Sequence, residues 1–265
     1  MYFDFHTHSS FSDDSPTPLK DMLDQAAKLH LDEIAVTDHY DPGYPDKEFP
    51  FELEFDKYHE ALEKYSDEYE GRLMIAKGIE IGLQTDQIDA ARKAAGAYDY
   101  DYIIGSFHCA LGEPLYQGHF YDNKTTIQAF RDYFTYMYDN FKNFKDYCCA
   151  GHLNIVARYC EKESPAFGEY ADIVEEILRM IIEDGKGIEL NTSSWRYKMA
   201  ETCPSKEILT MYRDLGGEII TTGSDAHTPD KIADHFETAY EYLKSLGFRY
   251  ICTFSHREPE FHKLG

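Results

Sequence analysis

The 265-residue chain carries 49 Asp and Glu against 26 Lys and Arg, a formal net charge of −23, with 43% hydrophobic residues. Such a surface repels phosphate backbones and anionic lipid, which argues against nucleic-acid binding and membrane docking. It leaves room for a small anionic substrate wherever bound metal reverses the local sign. The length suits one α/β domain over 1–265 with a sizeable core. The six cysteines show no CxxC spacing, and neither a leader nor an apolar run of about 18 residues is visible. These features predict reduced thiols in a soluble cytoplasmic protein.

A first strand is expected over 1–8, where alternation puts His6 and His8 on one face. A polar loop with Asp13 and Asp14 follows. Thr17 and Pro18 then supply an N-cap and a first-turn proline to a helix with Leu19, Met22, Leu23, Ala26 and Ala27 at helical spacing. A strand over 33–37 ends in Asp38-His39, and a loop rich in Pro, Gly and acidic residues (40–50) leads to a helix over 53–69. The run 73–83 reads as a strand containing Glu80, 86–95 as a helix, and 102–106 as a strand followed by Phe107-His108. After a long helix over 124–145, a short strand leads to Ala150-Gly151-His152. Further helices (169–184, 205–215) alternate with strands (187–191, 218–222), the last ending in Asp225-Ala226-His227. Thr228-Pro229 opens a helix with Ile232, Ala233, Phe236, Ala239, Tyr240 and Leu243 on one side. A strand over 250–254 precedes a polar tail. Alternation of this kind predicts parallel βαβ units.

His6, His8, His39, Glu80, His108, His152, Asp225 and His227 all fall at or just after the C-terminal end of a predicted strand. Barrel active sites gather at that face, so the pattern favours a closed barrel over an open sheet. Asp38 alternates away from His39 and is expected to support it without binding metal; Asp4 shares the His6 face but sits deeper. His30, His59, His119, His235, His256 and His262 are expected to be ordinary surface or partly buried histidines.

His-Thr-His at 6–8, Thr-Asp-His at 37–39, Glu80, His108, His152 and Asp-Ala-His at 225–227 resemble the ordered motifs of the polymerase-and-histidinol-phosphatase (PHP) superfamily. The stretches 6–14, 105–108, 151–154 and 189–193 resemble its histidinol-phosphatase branch. One departure is Ser15, where a common family pattern has Gly after the loop aspartate. The resemblance implies a distorted, TIM-like (βα)7 barrel around two or three divalent ions. It also implies three metal sites: His6, His8, Glu80 and Asp225 at the first; the bridging Glu80 with His108 and His152 at the second; Asp14, His39 and His227 at the third. Asp14 is preferred to Asp13 on the same ground. Imidazole nitrogen and carboxylate oxygen suit Zn, Mn or Fe, without a preference among them.

The resemblance further implies a phosphomonoesterase that hydrolyses L-histidinol phosphate to L-histidinol and phosphate in histidine biosynthesis, by attack of metal-activated hydroxide. Three divalent ions, three carboxylates and a hydroxide leave about +2, the complement of a phosphate monoester dianion. Arg158 and Arg196, placed where related phosphatases have arginines, are expected to clamp the phosphoryl oxygens. A metal-bound water, His227 or Asp225 is expected to donate a proton to the leaving alkoxide, and the sequence does not choose among them. The alternatives are a PHP-type phosphodiesterase or nuclease acting on small nucleotides, and a metal-binding domain without turnover.

Overall fold

The computed structural model describes residues 2–265, so Met1 of the expected first strand lies outside the described residues. In chain order the elements begin with β1 (Phe3–Asp4), α1 (Leu19–Lys28), β2 (Glu33–Val36), β3 (His39–Tyr40), α2 (Phe55–Glu68) and β4 (Met74–Gly82). They continue with α3 (Ile88–Ala95), β5 (Tyr102–Ser106), β6 (Cys109–Ala110), β7 (Glu113–Pro114), α4 (Thr126–Asn143) and β8 (Cys149–Ala150). The last third holds α5 (Ala171–Glu183), β9 (Gly187–Asn191), α6 (Ser193–Arg196), α7 (Lys206–Asp214), β10 (Ile220–Gly223), α8 (Phe236–Ser245), β11 (Tyr250–Ser255) and β12 (Glu258–Lys263).

Seven parallel strands run in the order β1-β2-β4-β5-β8-β9-β10, with β3 added alongside β4. The ring closes between its first and last strands. Phe5 N–H donates to Thr222 O at 2.9 Å, Asp225 N–H to His6 O at 2.8 Å, and Thr7 bridges Ala226 in parallel. This is the expected distorted (βα)7 barrel. Strands β2, β5, β9 and β10 are buried at every position, as a parallel sheet covered by helices requires. The helices cover it with stripes such as Val174, Ile177, Leu178 and Ile181 of α5, one face at 3.6-residue spacing.

Three local expectations fail for physical reasons. Thr17 does not cap α1; its hydroxyl donates to His227 O at 3.0 Å, and Pro18 takes the N-cap position. The helix expected from Thr228 begins only at Phe236. The intervening chain is a 3-10 turn over Pro229–Lys231 and two left-handed residues, Ala233 and His235. Buried Asp4 captures the Ala233 N–H at 2.8 Å, which holds that segment in a turn. The polar tail is not irregular: β12 pairs antiparallel with β11. That hairpin lies against the N-terminal ends of the barrel strands, with Phe254 beside Tyr102 and His262 beside Phe3. It leaves the opposite, C-terminal face open for chemistry.

Candidate metal centre

All nine residues expected to ligate metal converge on the C-terminal face. His6 and His8 point inward past the end of β1 and sit with ring centroids 5.0 Å apart. Glu80, on β4, is fully buried at the middle of the group. Its Oε2 lies 3.2 Å from His6 Nε2 and 3.6 Å from His8 Nε2. Asp225 Oδ1 stands 3.5 Å from His8 Nε2 and 3.9 Å from His6 Nε2. Bonds of about 2.0–2.1 Å in a tetrahedron place ligand atoms roughly 3.3 Å apart. The four separations, 3.2–3.9 Å, lie at or somewhat beyond that edge length.

The other Glu80 oxygen serves a second group. Oε1 lies 3.0 Å from His152 Nε2 and 3.3 Å from His108 Nε2, and the two ring nitrogens are 3.3 Å from one another. A third group forms on the rim, where Asp14 Oδ2 is 3.1 Å from His227 Nε2 and 3.7 Å from His39 Nε2. Metal-competent triads include His6-His8-Asp225, His6-Glu80-His152 and His8-His39-His227. His6 Nε2, His8 Nε2 and Glu80 Oε2 are buried with no hydrogen-bond partner among the described residues. Buried polar atoms are seldom left so. Acceptors crowded at this spacing fit divalent cations, which would relieve their mutual repulsion.

Local sequence explains the placement. The φ of Asp225 is +54, a left-handed turn at the end of β10 that swings its carboxylate back toward His6. Ser15, the departure from the family pattern, donates its hydroxyl to His227 O at 2.9 Å and so ties the Asp14 loop to the Asp225–His227 turn. Asp38 behaves as expected of a support: Ser9 N–H, Ser9 Oγ–H and Ser12 Oγ–H donate to it at 2.6–2.8 Å. Asp13 turns away and accepts the Phe51 N–H at 2.7 Å. Asp4 accepts from Ser224 N–H and Oγ–H, anchoring the turn before Asp225.

Two carboxylates were not assigned from sequence. Glu189 Oε1 lies 2.6 Å from His6 Nδ1, and its Oε2 accepts the His152 N–H at 2.8 Å. Asp41 Oδ2 lies 2.6 Å from His108 Nδ1. Each fixes the proton of its imidazole on Nδ1 and turns Nε2 toward Glu80. Glycines admit both: a Cβ on Gly223 would come within 2.2 Å of Glu189 Oε1, and one on Gly82 within 2.1 Å of the Asp41 carboxyl carbon. The legible signal was an acid inside an apolar strand, as in Gly187-Ile188-Glu189-Leu190-Asn191. Glu189→Gln cannot accept at both positions, and is expected to lower metal affinity about 10–100-fold. Competition with a chelator measures this; an unchanged affinity would contradict the role.

Electrostatics in the metal-free protein make protons compete with cations. Burial opposes the charged form of His6, but Glu189 and Glu80 outweigh it and raise its pKa well above the ordinary value. Burial likewise opposes ionisation of Glu80 and Asp225, yet the surrounding imidazoles hold both well below the carboxylate range. Burial lowers His8, reinforced by His39 and His227. For His227, burial lowers the pKa, while the hydrogen bond to Asp14 and the nearby carboxylates win and raise it to about 9. Below that value a rim cation must displace a proton. Affinity there should fall at least about tenfold per pH unit as pH drops from about 8 to about 6, with at least about one proton released per ion bound at neutral pH, because His39 in the same group is also raised. Indicator-dye titration tests this; uptake without proton release would contradict it.

Beyond the ligands lies a cavity of about 850 Å³, lined by Arg158, Arg196, Lys231 and several aromatic residues. Arg158 Nη1 is 3.7 Å from Asp225 Oδ2, its Nη2 donates to Ser193 Oγ, and its guanidinium lies 4.4 Å from the Tyr197 ring. Arg158 Nε is buried with no hydrogen-bond partner among the described residues. Arg196, the second expected clamp, is engaged with the protein itself. Its Nη1 and Nη2 donate to Ser224 O at 3.1 Å and Asp225 O at 3.0 Å, holding the turn that presents Asp225. No helix among the described residues is long and apolar enough to cross a membrane.

Comparison with known proteins places these features in a family context. The family model described as "PHP domain" matches residues 4–193. A histidinol-phosphatase of Lactococcus lactis subsp. lactis is 30% identical over 255 residues, covering 95% of this chain and 94% of that one. A "Probable histidinol-phosphatase" of Clostridium acetobutylicum is also 30% identical, covering 94% of this chain and 95% of that one. The crystal structure of the Lactococcus histidinol phosphate phosphatase, complexed with zinc, L-histidinol and phosphate, superposes with a TM-score of 0.89 at 29% identity. The match covers 97% of this chain and 98% of that one.

Proposed function

The chain belongs to the PHP domain family, and on that footing we propose that it is a metal-dependent phosphomonoesterase that hydrolyses L-histidinol phosphate to L-histidinol and phosphate. The observation that carries this reading is the convergence of three ligand groups at tetrahedral-edge spacing beside a cavity rich in cationic side chains. Its likeness to a histidinol phosphate phosphatase that binds zinc, L-histidinol and phosphate supports the choice of substrate.

His6, His8, Glu80 and Asp225 would hold a first ion, Glu80 with His108 and His152 a second, and Asp14, His39 and His227 a third; zinc, manganese or iron suits this donor set. Bound there, divalent ions supply an acidified water as nucleophile and neutralise charge on the phosphoryl oxygens. Arg158 donates to a non-bridging oxygen from its unpartnered Nε, in a dry setting where the charge acts strongly. Arg196 steadies the Asp225 turn and adds positive charge at the wall. The proton for the leaving alkoxide comes from water at the site, because Asp225 is held ionised and His227 keeps its Nδ1 proton on a carbonyl. His227 Nδ1 faces Asp225 O at 3.1 Å, which directs Nε2 toward Asp14. Chemistry is thus confined to residues 6–227 of a single unit spanning 1–265. All six cysteines are free thiols, which suits the reducing cytoplasm.

A substrate panel tests the assignment. The purified protein should release phosphate from L-histidinol phosphate faster than from other monoesters, and leave diesters and oligonucleotides uncut. Diesterase activity without monoesterase activity would overturn it.

A further inference from the structure

The stretch Glu189-Leu190-Asn191-Thr192-Ser193, where β9 runs into α6, holds more polar groups than the imidazoles use. Glu189 serves His6 and His152, while Asn191 and Ser193 are just as fully buried and lead toward Arg158. Glu189 and Asn191 stand two residues apart on β9 and so share one face of the strand. Their bonds form a single line. Asn191 Nδ2–H donates to Glu189 Oε2 at 3.2 Å. Asn191 Oδ1 accepts from Ser193 N–H at 3.1 Å and from Ser193 Oγ–H. Ser193 Oγ in turn accepts from Arg158 Nη2.

The direction of this line is fixed at both ends. Glu189 Oε2 takes the His152 backbone N–H, which can only donate, so the oxygen is an acceptor and the Asn191 amide must turn its NH2 toward it. The Ser193 backbone N–H demands the same amide orientation, because it too can only donate. The Ser193 hydroxyl hydrogen is thereby drawn to Asn191, and its lone pairs are left for a guanidinium, which accepts nothing. A competing acceptor, Asp225 Oδ2, stands 3.3 Å from the hydroxyl. On the far side the Arg158 guanidinium rests 4.4 Å from the Tyr197 ring. Stacking sets the plane of the guanidinium but leaves it free to turn within that plane, and the bond to Ser193 removes that freedom. Arg158 and Asp225 line the cavity of the metal centre, with Asp225 Oδ2 3.7 Å from Arg158 Nη1. A guanidinium released from Ser193 could close on that carboxylate and turn its donors away from the cavity.

We propose that Asn191 and Ser193 are positioning residues for phosphate binding: the amide, oriented by Glu189, sets the Ser193 hydroxyl as the acceptor that holds Arg158 turned to the phosphoryl group and off Asp225. The inference rests on the proposed function and deepens its phosphate side. It also gives the 189–193 stretch a use beyond the support that Glu189 lends to His6.

The Kd of inorganic phosphate, measured by calorimetry on protein loaded to equal metal content, tests it through a double-mutant cycle. Ser193→Ala should raise that Kd about tenfold, a shift of roughly 1.4 kcal/mol. Asn191→Ala reaches the same hydroxyl from its other partner and should act in the same direction, so the relay stays testable if one variant fails to fold. In an Arg158→Met background each substitution should change the Kd less than about twofold, because no guanidinium is left to hold. General loosening of the site would instead weaken phosphate binding with or without Arg158, and would lower metal affinity in competition with a chelator. Ser193→Ala should leave metal affinity within about threefold of wild type, since none of the proposed metal ligands is removed. Additive losses, an unchanged phosphate Kd in both single variants, or a parallel loss of metal would overturn the relay. So would a phosphate Kd that does not respond to Arg158→Met. Coupled loss of phosphate binding in a protein that releases no phosphate from L-histidinol phosphate would leave the relay standing and refute the proposed function.

Discussion

Glu80→Gln is expected to lower kcat/KM for L-histidinol phosphate at least about 10³-fold, or about 4 kcal/mol of transition-state stabilisation. The substitution keeps shape and volume, so the effect isolates charge and donor chemistry. Glu80 Oε2 faces His6, His8 and His39, its Oε1 faces His108 and His152, and Ser106 Oγ–H donates to Oε1 at 2.6 Å. An amide would turn an NH2 toward ring nitrogens that must present lone pairs, and would remove the one negative charge shared by two cation sites. Bound metal should fall together with activity, which elemental analysis of the purified variant checks. Activity within tenfold of wild type at full metal content would show that Glu80 is structural.

Arg158→Met should cost about 10²–10³ in kcat/KM, the range found when a single preorganised donor is removed from a charge-stabilising site. Its guanidinium is largely buried, rests on Tyr197, and keeps Nε without a partner among the described residues. Met retains the apolar stem, so packing against Tyr197 survives and the loss reports the donors. Arg158→Lys should restore little, because a point-charge ammonium does not reproduce a planar fork. Inhibition by inorganic phosphate should weaken in step. A change under about threefold in both would remove Arg158 from the phosphate site.

Much of the barrel, and the gathering of polar residues at its C-terminal face, was legible in the sequence because both depend on strong local patterns; the grouping into three metal sites came from the family resemblance. Parallel strands buried on both faces read as short apolar runs, and a polar residue at their C-terminal ends has no packing role to hide behind. His6, His8, Asp225 and His227 stand out for that reason. Glu189 and Asp41 were harder to see. Each acts through another side chain, His6 or His108, whose ring nitrogen it meets across a long gap in sequence. The start of α8 was misplaced because Thr228-Pro229 is a sound helix opening in isolation, and the competing acceptor, Asp4, is 229 residues away from Ala233. Likewise, the hairpin of β11 and β12 is polar on its exposed face, so composition alone made it resemble a tail. Arg196 was expected to clamp phosphate; the carbonyls it binds depend on a turn whose left-handed Asp225 no pattern announces.

Titration of metal-free protein with zinc, manganese or ferrous ion, following phosphate release from L-histidinol phosphate alongside bound metal, tests the central claim most directly. Stripped protein should be inactive, and turnover should return as two or three ions bind per chain. Full turnover by protein shown to be metal-free, or metal binding that restores diester cleavage and no monoester cleavage, would contradict it.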